Sequence, residues 1–385
     1  MKTVDFASLP DLAVRTLGGS VVAANDELFA ERENLIKAQP PVFNPHTFGH
    51  KGQVYDGWET RRRREPGYDW TIVRLGVPGV IRSVIVDTAF FTGNFPEQCS
   101  VEAVSVDGYP SPDELADLAW TEIVPRSRLK GDTRNQFAVT ATGSQAEESW
   151  THVRLNIFPD GGVARLRVHG EVVPDPRWLA GRPLDLAALE NGGLITDASN
   201  RFYSSPNNLL LPGNARTMGE GWETARRRDD ANDWVEVRLA AEGVVRQIEL
   251  DTTHFKGNAP GWFRLGARSF SALSGDGADT ELIPCTRLQP DTRHRFRVGT
   301  AVPVNQVRVD VYPDGGFARL RVWGDLTARG RERLALNWYN RLPAAHLAQI
   351  LATETGTSDV DNLVAARPVH GVADLPAAVR ALLGE

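Results

Sequence analysis

Within eight residues, the segment Asp251-Thr-Thr-His254-Phe-Lys256-Gly-Asn258 offers a carboxylate, an imidazole, an ammonium and a primary amide. An imidazole changes charge near neutral pH, so beside a fixed cation it can bind an anion and move a proton. If the segment continues the strand before it, period-two alternation puts His254 and Lys256 on one face with Thr252 behind them. Lys256 is one of only five lysines in a chain with 38 arginines, so background composition does not supply it. Asp251, His254 and Lys256 are therefore the candidate catalytic residues.

Two arginine runs, Arg61 to Arg64 and Arg226 to Arg228, are the candidate anion grip. A guanidinium binds a carboxylate through two parallel hydrogen bonds and stays charged at all working pH values. On a strand, at most half of each run can share a face with a ligand. That leaves Arg62 and Arg64 in one run and Arg226 and Arg228 in the other; the rest are expected to be solvated or paired with Glu59, Glu65, Glu223 or Asp229. In Gly93-Asn94 and Gly257-Asn258 the glycines are expected to serve positive-φ turns, leaving Asn94 and Asn258, the candidate substrate-binding amides, free for either a backbone or a ligand amide. Trp58, Trp70, Trp222 and Trp234 read as core or rim aromatics. Glu97 reads as a solvated loop residue. His46 and His50 have an i, i+4 metal spacing, but Pro45 and Gly49 argue for a loop and no third ligand is near in sequence, so no metal is expected. Phosphate-loop, dinucleotide, nucleophile-elbow and zinc-protease patterns are missing, and no cofactor is expected.

These groups must be positioned by something the chain builds twice. From Gly57 to Val101 the sequence recurs at a constant offset of 164 residues without a gap, so Gly57-Trp-Glu-Thr60 returns as Gly221-Trp-Glu-Thr224 and Asp87-Thr88 as Asp251-Thr252. A second block, Pro159-Asp-Gly-Gly162 with Ala164-Arg-Leu-Arg-Val168, returns as Pro313-Asp-Gly-Gly316 with Ala318-Arg-Leu-Arg-Val322. Such spacing is duplication of a whole domain and not a short-period solenoid. The copies differ at His254 and Lys256, which stand where the first has Phe90 and Thr92. Shared residues can be scaffold, so these differences carry the most information about chemistry.

Asp69 to Leu75 and Val80 to Val86, with their partners Asp233 to Leu239 and Val244 to Leu250, concentrate β-branched residues between Gly/Pro turns and read as short strands. No helical periodicity interrupts residues 50–170 or 215–325. The reading is all-β, one sandwich per copy: residues 1–172 and 186–327, joined by a proline-rich linker at 173–185. Residues 328–385 change texture, with helices expected over Arg331 to Leu342, Pro343 to Ala352 and Asp374 to Leu383.

A net charge of −6 gives no global attraction to nucleic acid or to an anionic membrane. No apolar run approaches membrane-spanning length, and no signal-peptide pattern opens the chain. Two cysteines at non-equivalent points of the copies, Cys99 and Cys285, argue against a disulfide framework. A cytoplasmic protein, working as a homo-oligomer, is expected.

Asp56-Gly-Trp-Glu-Thr-Arg-Arg-Arg-Arg64, Asp69-Trp70, Asp87-Thr88 with Phe91, Gly93-Asn94 and the Pro-Asp-Gly-Gly blocks, in order and in two copies, resemble the allantoicase family over roughly residues 15 to 325. The resemblance implies two jelly-roll, galactose-binding-like domains that hydrolyse allantoate to ureidoglycolate and urea in purine degradation. The tail, through Leu342-Pro343, Leu351, Ala365-Ala-Arg-Pro368 and Leu375, looks like the opening helices of ureidoimidazoline decarboxylases. That family's catalytic portion would lie beyond Glu385, so no decarboxylase activity is expected. Allantoate carries a carboxylate on a carbon bearing two ureido groups; breaking one of its C–N bonds needs a cation, polar groups for the ureido arms, an acid and a base. The competing class is a non-catalytic tandem β-sandwich that binds a carbohydrate or another small ligand.

Overall fold

The computed structural model describes residues 8–140, 143–179, 181–268 and 280–384. It divides into two units, Met1–Val173 with Tyr339–Pro368, and Pro174–Trp338 with Val369–Glu385.

Each unit is organised by one strand of 19 residues, Asp69–Asp87 in the first and Asp233–Asp251 in the second. The two short strands expected in each copy are thus one continuous strand with a bend. Its first half pairs with Ser20–Ala24 and Trp150–Phe158, and its second half with Arg165–Val172 and Arg134–Ala138. The ladder to Trp150–Phe158 breaks between Arg74 and Gly79. Glycine is required there, because a Cβ on Gly79 would lie 2.5 Å from the Glu171 carbonyl. One strand therefore serves both sheets of a jelly-roll sandwich. Gln98–Val104 and Thr121–Arg128 complete the first sheet. The second unit repeats the plan, with Asp233–Asp251 pairing to Leu194–Ala198, Pro303–Tyr312, Arg319–Leu326 and Arg293–Arg297.

Alternation decides what the sandwich encloses. Val235, Val237, Ile248 and Leu250 are buried with Phe263, Val307, Val309, Leu320 and Val322; Val73, Val84, Val86, Val153, Leu155, Leu166 and Val168 do the same in the first unit. Trp58 and Trp222 are fully buried, each indole N–H donating to a backbone carbonyl (Asp26 at 2.7 Å, Asn200 at 2.9 Å), so both belong to the core.

One helix inside the β-region was not legible from periodicity. Pro112–Ala116 is too short for an apolar repeat, and a capping box between Ser111 and Glu114 holds it. In the tail, helices occupy Ala328–Arg341, Ala344–Ile350, Val360–Ala365 and Ala377–Leu382. The tail is shared between the units: His346 Nδ1 lies 2.9 Å from Ser105 Oγ in the first, and Glu332 accepts the Val372 N–H in the second. Pro174–Trp338 groups with the second unit, and Leu184–Asp185 already pair with its strand Arg319–Leu326. The segment expected as a linker over 173–185 is thus partly structural.

Candidate functional site

The repeated tryptophan–arginine motif folds as a clamp. Thr60 Oγ1 accepts the Gly161 N–H at 3.1 Å, and the Arg63 N–H reaches Asp160 Oδ2 at 2.7 Å, fastening the motif to the Pro-Asp-Gly-Gly turn. Thr224 with Gly315 and Arg227 with Asp314 repeat the arrangement. A Cβ on Gly162 would stand 2.0 Å from the buried Phe91 ring, so the turn must end in glycine. The strand expected over the arginine runs is absent: it ends at Glu59 or Glu223, and the arginines lie in the loop beyond. Within that loop Arg63 pairs with buried Asp69 at 3.1 Å, Arg227 with buried Asp233 at 2.8 Å and with Asp229, and Arg61 with Asp26. Arg62, Arg64, Arg226 and Arg228 are exposed and have no partner among the described residues.

Glu59 and Glu223 do not pair with the arginines. Each accepts a hydrogen bond from the asparagine expected to hold ligand, Asn94 at 2.8 Å and Asn258 at 2.7 Å. Burial pushes the Glu59 carboxyl above its ordinary value, against the Asn94 bond. Gly93 and Gly257 are not in the positive-φ region; Phe90 (φ 68°) and His254 (φ 74°) are. The left-handed turn comes three residues earlier than expected.

That turn also corrects the face assigned to His254 and Lys256. The strand stops at Asp251, so alternation does not extend to either residue. The His254 N–H donates to Asp291 at 2.8 Å, and Phe255 is fully buried, which fixes the loop. His254 Nε2 lies 3.0 Å from the Ala215 carbonyl, an acceptor only. Nε2 must therefore carry the hydrogen, and the neutral ring keeps its lone pair on Nδ1. Lys256 points outward, 79% exposed, with its nearest carboxylate, Asp291, at 3.9 Å.

Sheet register assembles the richer constellation. Asp251 stands directly opposite Arg293 on one neighbouring strand and Arg319 on the other, and side chains opposite one another share a face. Arg321, two residues beyond Arg319, shares that face too. In the first unit Asp87 lies between Arg134 and Arg165, with Arg167 beyond. Asp132 and Asp291 stand two residues before Arg134 and Arg293 in each copy. The Asp–Thr–Arg and Arg–Leu–Arg repeats are visible in the sequence, where i, i+2 spacing on a strand marks one face. Sequence reasoning credited the longer arginine run and passed them over.

The copies then part. Arg165 is neutralised by Asp56 at 2.6 Å. At the matching place the second unit has Glu220, whose carboxylate turns to Arg216 at 2.6 Å, leaving Arg319 with only carbonyl acceptors at Gly213, Glu220 and Ala318. Arg319 is 3% exposed, and burial, reinforced by the charge on Arg321, lowers its pKa to about 10. No carboxylate is bonded to this buried guanidinium, and the nearby charges of Glu220 and Asp251 compensate it only in part, which favours an anion beside it. Arg293 sits across Asp251 from it, 3.7 Å from the carboxylate.

Fold and register together define a tandem β-sandwich protein in which each copy sets arginines on both sides of one aspartate. Both copies match the model of the allantoicase repeat, over residues 10–173 and 184–327. A probable allantoicase of Nocardia farcinica is 57% identical over 324 residues, 83% of this chain and 95% of that protein. The allantoicase of Dictyostelium discoideum is 41% identical, over 80% of this chain and 84% of its own. The crystal structure of allantoicase from Saccharomyces cerevisiae has a TM-score of 0.72 at 34% identity, covering 83% of this chain and 96% of that one. The chain belongs to the allantoicase family, and it is an enzyme of that hydrolase class.

Proposed function

We propose that the chain hydrolyses allantoate to ureidoglycolate and urea, and that the reaction takes place at the Asp251 stripe of the second unit. The carrying observation is Arg319, buried and bonded to no carboxylate, on one side of Asp251, with Arg293 on the other and the His254 loop at the strand's end. Arg319 takes the substrate carboxylate, and Arg293, tied to Glu249 and Asn214, adds positive charge beside it. Asp251 and Asp291 accept the ureido N–H groups. His254 Nδ1 removes a proton from water as the oxygen bonds to the central carbon, then delivers it to the nitrogen that leaves as urea. One C–O bond forms, one C–N bond breaks, and the imidazole ends unchanged. Lys256, at the rim, offsets charge and moves no proton. Asn258 holds Glu223 and thereby shapes the loop, as Asn94 does with Glu59.

Incubation of the purified chain with allantoate tests the activity. Urea and ureidoglycolate should appear in equal amounts; folded protein that releases no urea above background overturns the reading, including its non-catalytic competitor's exclusion. Arg319→Lys keeps a charge and three donors but loses the planar fork. It should lower kcat/KM by about 10- to 100-fold, mostly through KM, and an unchanged KM would remove Arg319 from the substrate. Arg62, Arg64, Arg226 and Arg228 act as outer cations that draw the anion in. Single Arg226→Ala or Arg228→Ala variants should raise KM about two- to fivefold, with the effect fading at high salt.

The same reading makes the protein a cytoplasmic homo-oligomer. Cys99 and Cys285 are both free, and no helix among the described residues is long and apolar enough to cross a membrane. Light scattering that gives the monomer mass would contradict the oligomer.

A further inference from the structure

We infer that the first unit holds a second binding site for the same class of ligand, a small carboxylate with planar ureido arms, which it binds without turning it over. The inference rests on the reading above for its ligand class. Its evidence is a cavity of about 370 Å³ around Asp87, Asp132, Arg134 and Arg167, walled by Phe90 and by Pro40-Pro41.

Three differences from the second unit define what this cavity does. Arg134 is exposed and unpaired among the described residues, whereas its counterpart Arg293 is tied to Glu249 at 3.3 Å and to Asn214 at 2.6 Å. Isoleucine at position 85 explains this, because it stands where the second copy has Glu249. The free guanidinium is available for a carboxylate. Asp87 and Asp132 each use one oxygen on a backbone N–H, of Ala89 and of Phe90, and retain acceptor capacity for ureido N–H groups.

Secondly, Phe90 ends a stack of rings that the second copy does not build. Phe43 lies against Phe90 at 5.6 Å and against Tyr55 at 5.0 Å, and Tyr55 against Phe91 at 4.7 Å. Being 39% exposed, Phe90 offers a flat face on which a planar ureido group can lie. Thirdly, the ring that gives this wall replaces the imidazole: Phe90 has the backbone conformation of His254 and nothing that takes a proton. The first unit recognises and does not react.

The test uses the full chain and N-carbamoylglycine, which has the carboxylate and one ureido arm but no second ureido group to expel. Calorimetric titration of wild-type protein should give two sites per chain, and Arg134→Glu should give one. The Arg134 side chain has no bonded partner among the described residues, so the variant should stay folded, with a modest fall in melting temperature from the new carboxylate opposite Asp87, and Arg134→Lys should retain the second site with weaker affinity. Two sites surviving in Arg134→Glu, or a single wild-type site that this variant leaves intact, overturns the inference. The activity reading fails separately: if wild-type protein releases no urea from allantoate yet still binds N-carbamoylglycine at two sites, the first-unit site stands and the catalytic assignment falls.

Discussion

His254→Phe should lower kcat by about 10²- to 10⁴-fold, the range of one general acid–base group, while KM and melting temperature stay near wild type. Phenylalanine is the residue the first copy uses at the same backbone conformation, with φ 68° at Phe90 against 74° at His254. The substitution therefore respects a left-handed geometry in which bulky residues are otherwise strained. It removes the Nε2 bond to the Ala215 carbonyl and with it the lone pair that this bond directs to Nδ1. His254→Ala should lose comparable rate with some loss of packing, and Phe90→Ala should leave turnover within a few fold. Urea release at saturating allantoate decides the matter: a His254→Phe enzyme with wild-type kcat would end the proton-transfer role, and equal losses in the Phe90 and His254 variants would point to loop structure instead.

Acid should weaken the first unit through a single buried histidine. His152 is 1% exposed on strand Trp150–Phe158, and burial, aided by the nearby charge of Arg74, lowers its pKa to about 4. Unfolding returns it to about 6.5, so between these values the unfolded chain binds more protons than the folded one. Stability from this residue is complete above pH 6.5 and drains as pH falls, by on the order of 3 kcal/mol at pH 4. The second copy has Gln306 at the equivalent place. His152→Gln should therefore lose markedly less stability than wild type between pH 7 and pH 4, by denaturant unfolding followed at both pH values. Depressed carboxylates such as Asp26 and Glu102 also lose stability in acid, but equally in both proteins. Parallel losses in wild type and variant would show that His152 is already protonated in the fold.

Much of the architecture is legible in the residues because duplication and alternation are local properties. The 164-residue offset, the β-branched runs and the Gly/Pro punctuation lead to tandem β-sandwiches, and the apolar repeats after Asp325 lead to helices. The arginine runs misled for a definite reason. Their length suggested a strand face, but Pro66 and Gly67 follow, the strand stops at Glu59, and the shared motif clamps a turn. Likewise, His254 and Lys256 were placed by alternation on a strand that had already ended at Asp251.

What the sequence determined by itself is the repeat, the β-class, the family and the identity of residues that differ between copies. Among the latter is His254, which stands where the first copy has Phe90, whereas Asp251 repeats Asp87. The tertiary structure alone decided their company. Asp251 meets Arg293 and Arg319 across 42 and 68 residues of chain, because antiparallel register places them opposite one another. Alternation assigns a residue to a face, but only the pairing of strands selects which distant residues share it. The same holds for charge. Arg165 and Arg319 sit in identical local sequence, yet one is neutralised by Asp56 and the other is not, because Glu220 turns to Arg216. Burial and partner choice, which arise only when the sheets close, separate a guanidinium paired with a carboxylate from one held by carbonyls alone.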